Sequence, residues 1–181
     1  MPNPMKIEFV AADQLSDTQK ESLKQLRAVV YPAAALGTLL GKQITWMSPQ
    51  WSVFVWDEDE LVARVGLVTR EIISNGETKI IGGVGGVLTH PQRQDKGHAS
   101  EAMREATKRF NEELQVAYAL LFCDSRLIEF YKRLQWKSFE GRVFVQQPKG
   151  RIEFSANGAM VLDIKEAAPL NGTLDLNGLP W

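Results

Sequence analysis

The chain has 181 residues, 44% of them apolar and 24% charged, and a formal net charge of −1; this suits one domain with a sizeable core and excludes a general electrostatic grip on nucleic acid, because no basic excess exists to release counterions. The single cysteine, Cys123, excludes an internal disulfide and fits a reducing compartment. No apolar run approaches the roughly 20 residues of a bilayer span, and "MPNPMKIEFVAAD" lacks the layout of a signal peptide, so a cytoplasmic, non-membrane protein is expected.

In chain order, "KIEFVAA" (6–12) alternates as a strand does. Ser16 with Gln19 forms a capping-box signal, and Leu23, Leu26, Val29 and Val30 then share one face of a helix that Pro32 ends. Residues 31–51 are apolar, rich in Gly and Pro and without a period, so a loop with a short helix is expected. "WSVFVW" (51–56) predicts a strand, "DEDE" (57–60) a turn, and 61–73 the strand leaving it. The Asn-Gly of "SNGE" predicts a hairpin turn into a largely buried strand over 79–89. After Gly97 the apolar residues Ala99, Ala102, Met103, Ala106, Phe110 and Leu114 fall at helical steps. "VAYALLFC" (116–123) is a continuous apolar run, as in a central strand, and 125–134 is another amphipathic helix. Residues 136–147 and 152–164 predict two or three strands with turns at Glu140-Gly141 and Asn157-Gly158. The last residues, 165–181, show no core pattern and are expected to lie on the domain or remain mobile. The order predicts an α/β or α+β domain over 1–164, with a mixed, mostly antiparallel sheet flanked by helices, in which strands 79–89 and 116–123 are parallel neighbours.

A strand that ends, a polar loop and a helix start with a glycine together form an anion-site layout. The first helical amides lack partners, the helix dipole adds positive charge, and Gly97 lets a polyanion approach the backbone. Lys96 and Arg93 add full charges in this reading, and His98 a further donor. The nucleotide fingerprints are absent: "GGVGGV" (82–87) has the wrong spacing and lies in a strand, and no G-x-x-x-x-G-K-[ST] occurs. No Cys/His cluster has metal spacing, and there is no G-x-S-x-G.

Gln94-Asp95-Lys96-Gly97-His98-Ala99 matches [Arg/Gln]-x-x-Gly-x-[Gly/Ala], the coenzyme signature of the GNAT family, the GCN5-related N-acetyltransferases. "VLTHPQRQDKGHASEAM" resembles the family's strand, loop and helix in order, and "DSRLIEFYKRLQW" resembles its second block. The resemblance covers residues 51–140 well and implies a GNAT-like sheet. The Gly-led strand "NGAMVLDI" and a tail ending in Trp181 are similar to the aminoglycoside 2′-N-acetyltransferase branch.

The resemblance implies acetyl-CoA as cofactor and direct transfer of acetyl to an amine of a small molecule or exposed amino group. It implies that Gln94, Asp95, Lys96, Gly97, His98 and Ala99 bind the pyrophosphate, and that Val87, Leu88 and Thr89 pair with the pantetheine arm and lend an amide to the thioester carbonyl. Tyr131 falls where the family keeps its general acid, although a tyrosine on an apolar helix stripe is as readily a core residue. Gly85 stands where many members carry a glutamate base and cannot take a proton. Asp124 replaces an asparagine at the second helix start; it is either a helix cap or a carboxylate that orders a water. Cys123, in apolar surroundings, is expected to be inert.

On the acceptor side, Tyr31, Leu36, Leu39, Leu40, Trp46 and Met47 imply a partly apolar pocket. Polycationic aminoglycosides need carboxylates, and the tail offers only Asp163, Glu166, Asp175 and the terminal carboxylate. Two functions follow: an N-acetyltransferase, or a GNAT-fold sensor that binds acyl-CoA without turnover. The family also leaves a homodimer open.

Overall fold

The computed structural model describes residues 5–32, 44–155 and 158–181. Its elements are β1 (Lys6–Ala11), α1 (Asp17–Val30), β2 (Trp51–Asp57), β3 (Glu60–Ser74), β4 (Glu77–Thr89), α2 (His98–Glu112), β5 (Tyr118–Cys123), α3 (Ile128–Arg133), β6 (Lys137–Ser138), β7 (Arg142–Gln147), β8 (Gly150–Glu153), β9 (Gly158–Asp163) and β10 (Thr173–Asp175). Ser16 and Gln19 form the full capping box that starts α1. Leu23 and Leu26 are buried but Val29 is exposed, so the buried stripe of α1 is narrower than its sequence implies. Of the segment 31–51, where a loop with a short helix is expected, residues 33–43 lie outside the described residues.

β3 and β4 form the long central hairpin, closed by Asn75 and Gly76, both at positive φ (50° and 84°) as an Asn-Gly hairpin turn requires. The strand order is β6-β9-β5-β4-β3, and β3 has two partners on its other edge: β2 along its first half and β10 at Ile73 and Ser74. β4–β5 and β10–β7 are parallel, and the other pairs are antiparallel. The mixed, mostly antiparallel sheet and its parallel β4–β5 pair are therefore as the sequence predicts.

Alternation along the strands separates the cores. Val53, Val55, Ala63, Val65, Leu67 and Val84 face α2, whose Ala102, Met103, Ala106 and Phe110 are buried on them. Phe54, Trp56, Leu61 and Leu88 face α1 on the opposite side. A third cluster joins Val68, Ile72, Ile81, Tyr118 and Leu120 to Val143, Val145, Leu174, Leu176 and Trp181. The tail is therefore part of the core: Leu174 and Leu176 are 0% exposed and Trp181 6%. The strands after α3 also differ in detail. The β7–β8 turn falls at Pro148-Lys149, a turn the sequence reading did not place, and Asn157 lies outside the described residues.

Candidate active site where β4 and β5 part

β4 and β5 pair only at Gly82↔Ala119, Gly83↔Leu120 and Val84↔Leu121. Beyond Val84 the two strands separate, although β4 runs on to Thr89 and β5 to Cys123. The cause is a bulge. Gly66 pairs with Gly85 and Arg64 with Leu88, so Gly86 and Val87 together oppose Val65. Gly86 sits at φ 56°, a left-handed conformation that glycine adopts without a steric penalty. Val87, Leu88 and Thr89 thus occupy the stretch of β4 with no β5 partner, and a guest chain could pair there. Leu88 also packs in the core under α1.

The chain then crosses to α2 through a short 3-10 turn capped by His90, whose Nδ1 accepts the Gln92 N–H at 3.2 Å. Gln94, Asp95, Lys96 and Gly97 are exposed, and Asp95 and Gly97 have positive φ (61° and 84°). The first helical bond runs from Glu101 N–H to Gly97 O, leaving the amides of His98, Ala99 and Ser100 without helical acceptors. A Cβ on Gly97 would meet nothing within 4 Å, so the space before those amides is open. His98 is 8% exposed, and neither ring nitrogen has a partner among the described residues. Open amides beside Lys96 suit a pyrophosphate-bearing coenzyme. Arg93 does not join them: it donates to Asp57 at 3.0 Å and Glu60 at 2.7 Å, and the Glu60 hydrogen bond holds its guanidinium above the usual range.

Tyr131 lies on α3, 4% exposed, packed edge-on against Phe130 at 5.0 Å and Trp136 at 6.3 Å. Burial drives its phenol well above the ordinary range, and neighbouring Cys123 adds to the shift. The Cys123 thiol, at the end of β5, is pushed up to about 11 by burial and by Asp124. Asp124 is itself occupied: Oδ1 accepts the backbone N–H and Nε of Arg126, both at 2.9 Å, which caps the following turn and lowers the carboxyl's pKa.

Gly85 has a structural occupant in place of a side chain. A Cβ there would lie 2.7 Å from the main-chain carbonyl carbon of Trp181, and one on Gly83 would lie 2.1 Å from the indole Cε2. The indole N–H donates to Leu120 O at 3.1 Å, and Arg70 stacks over the ring at 5.3 Å while bonding Leu179 O at 2.6 Å. The C-terminal segment thus crosses the sheet beside the point where β4 and β5 part. Sequence reasoning missed this and missed Arg64 beneath the bulge; the repeated Gly-Gly of "GGVGG" was the available signal. Trp46, Phe122 and Phe154 extend the aromatic surface beside Trp181. Three of the tail carboxylates are already paired, Asp163 with Lys137 at 2.7 Å, Glu166 with Lys79 at 2.6 Å and Asp175 with Arg151 at 2.7 Å.

A central bulge, a parted parallel strand pair and a helix amino end at its mouth define an acyltransferase-type fold. A family model described as "Acetyltransferase (GNAT) domain" matches residues 15–139, and the chain belongs to this family. Among solved structures it is similar to Escherichia coli ElaA (14% identity, TM-score 0.61, covering 88% of this chain and 100% of that one). It is also similar to an acyl-CoA N-acyltransferase from Pseudomonas aeruginosa (15%, 0.59, 88% and 99%) and to YhbS of Escherichia coli in complex with CoA (12%, 0.60, 98% and 93%). No curated protein matches. No helix among the described residues is long and apolar enough to cross a membrane.

Proposed function

We propose that the protein is an acetyl-CoA-dependent N-acetyltransferase, and the observation that carries this is the opening of β4 from β5 at the Gly86–Val87 bulge, with the free amides of α2 at its mouth. In this reading the amides of His98 and Ala99, with Lys96, hold the pyrophosphate, and β4 residues 87–89 pair with the pantetheine arm. The Val87 N–H donates to the thioester carbonyl. The acceptor nitrogen bonds to the carbonyl carbon, the carbonyl electron pair moves to oxygen, and its return breaks the C–S bond. Tyr131 gives its proton to the departing thiolate, and the acceptor nitrogen loses one to water. Fixed donors aimed at the developing oxyanion supply a large share of such catalysis.

No carboxylate grows from Gly85, so the acceptor loses its proton without that help. For an ammonium of pKa about 10.4 this costs about 4–5 kcal/mol at neutral pH, and the rate should rise about tenfold per pH unit until the amine titrates. Because Asp163, Glu166 and Asp175 are paired, a polycationic aminoglycoside is not our first choice of acceptor. The filled position at Gly85 favours a second reading, acyl-CoA binding without turnover. Thermal stabilisation by acetyl-CoA, followed by thiol release against a panel of amines that includes aminoglycosides, separates the readings. About 2.7 kcal/mol of stabilisation is expected at a hundredfold excess over Kd. Absence of a shift overturns both readings, and a shift without thiol release selects binding alone.

A further inference from the structure

Arg64, in the first half of β3, is 3% exposed. Its Nε donates to Ser52 Oγ on β2 and its Nη1 to the Gly86 carbonyl on β4, both at 3.1 Å. One guanidinium therefore ties three strands together at the bulge. A side chain on Gly86 would abolish the arrangement, since its Cβ would stand 2.3 Å from Nη1. Gly66 leaves room on the other side, where a Cβ would stand 3.0 Å from the guanidinium carbon.

Among the described residues no carboxylate pairs with this charge. Both acceptors are neutral, and the cation Arg27 also bears on Arg64, pushing its pKa further down. Residues 1–4, 33–43 and 156–157 contain no Asp or Glu. Burial pushes the guanidinium down to about 10, which still leaves it charged at neutral pH. A buried cation is costly unless it is paired and hydrogen-bonded, and an anion that forms beside it during function would offset that cost.

The atom that Arg64 grips identifies that anion. The Gly86 carbonyl and the Val87 N–H belong to one peptide, and no peptide bond among the described residues is cis. In a trans peptide the N–H points opposite to the carbonyl. A cation on the carbonyl end draws electron density from nitrogen and strengthens the N–H as a donor. We propose that Arg64 is a positioning residue for acyl transfer: it orients and polarises the Gly86–Val87 peptide, so that the Val87 N–H meets the thioester oxygen and the charge that develops there is balanced one peptide away. This rests on the acetyl-CoA reading above.

The test compares wild type with Arg64→Gln and Arg64→Lys, measuring kcat, KM for acetyl-CoA and the infrared carbonyl band of bound, carbonyl-labelled acetyl-CoA without amine. Loss of a whole oxyanion donor costs about 10²–10³ in kcat, so weakening one should cost about 10–100-fold in Arg64→Gln, with KM within about threefold. The bound carbonyl band should move to higher wavenumber, and Arg64→Lys should restore part of both. An unchanged band, whatever happens to kcat, overturns the proposal, because a purely structural arginine would lower stability without altering thioester polarisation. If Arg64→Gln does not fold, the wild-type amide spectrum decides: the Val87 N–H resonance must move downfield on titration with acetyl-CoA, and a stationary resonance overturns the proposal. Wild type that fails to bind acetyl-CoA would instead overturn the functional reading.

Discussion

Tyr131 and Cys123 share one apolar corner, and their chemistry should be considered together. A phenol above its ordinary value is a poor acid toward a thiolate whose conjugate thiol has an ordinary pKa near 8.5. Yet the same corner lifts the Cys123 thiol to about 11, so a thiolate released beside it would also be strongly basic. The donor and acceptor are thereby brought closer in basicity. Tyr131→Phe should lower kcat about 10²-fold or more while leaving stabilisation by acetyl-CoA intact, as read by single-turnover thiol release and thermal melts. A full rate in that variant would remove Tyr131 from the mechanism. Cys123 supplies a separate check on the environment. Its folded pKa is raised, so its contribution to stability is fully present below about pH 9 and is lost as pH rises toward 11. The unfolding free energy of wild type relative to Cys123→Ala should therefore fall by about 2–3 kcal/mol between pH 8.5 and above 11, measured by urea denaturation.

At the scale of elements, β4, α2 and β5 were legible because each carries a strong period or a continuous apolar run. The helix-start signal at Gly97 was legible for the same reason: it punctuates two such patterns. The bulge was not, because Gly86 lies in a glycine-rich strand where nothing in the sequence marks which glycine takes positive φ. Nor was the engagement of Arg93, whose partners Asp57 and Glu60 come from a distant hairpin. The α2 amino end yields its own prediction. Gly97 sits at φ 84° with open space around its missing Cβ. Gly97→Ala should cost stability only through backbone strain, about 1 kcal/mol. It should weaken acetyl-CoA binding at least tenfold, because the methyl would occupy the space before the free amides. Calorimetric titration with the coenzyme, set beside a denaturation curve, distinguishes this from general destabilisation; equal affinity in the variant would place the pyrophosphate elsewhere.

For the whole molecule, the tail is the largest departure from what the sequence shows. "NGTLDLNGLPW" has too few apolar residues to display a period, so nothing local announces its burial. Leu174, Leu176 and Trp181 are buried by remote strands, and only the fold brings those strands to them. The reciprocal evidence lies about a hundred residues earlier, where Gly83 lacks the side chain that would collide with the indole. The two positions should therefore be energetically coupled. Trp181→Ala alone should cost about 3–5 kcal/mol through lost burial and the cavity left behind. Gly83→Ala alone should cost about 1–3 kcal/mol, because its Cβ can fit only if the indole moves. With the indole gone, the new methyl enters vacated space, so the double variant should be less destabilised than the sum of the singles by about 1 kcal/mol or more. Urea denaturation of the four proteins gives the cycle directly. Strict additivity would mean that the tail and the β4–β5 junction are independent, and the C-terminal segment would then lose its place beside the site.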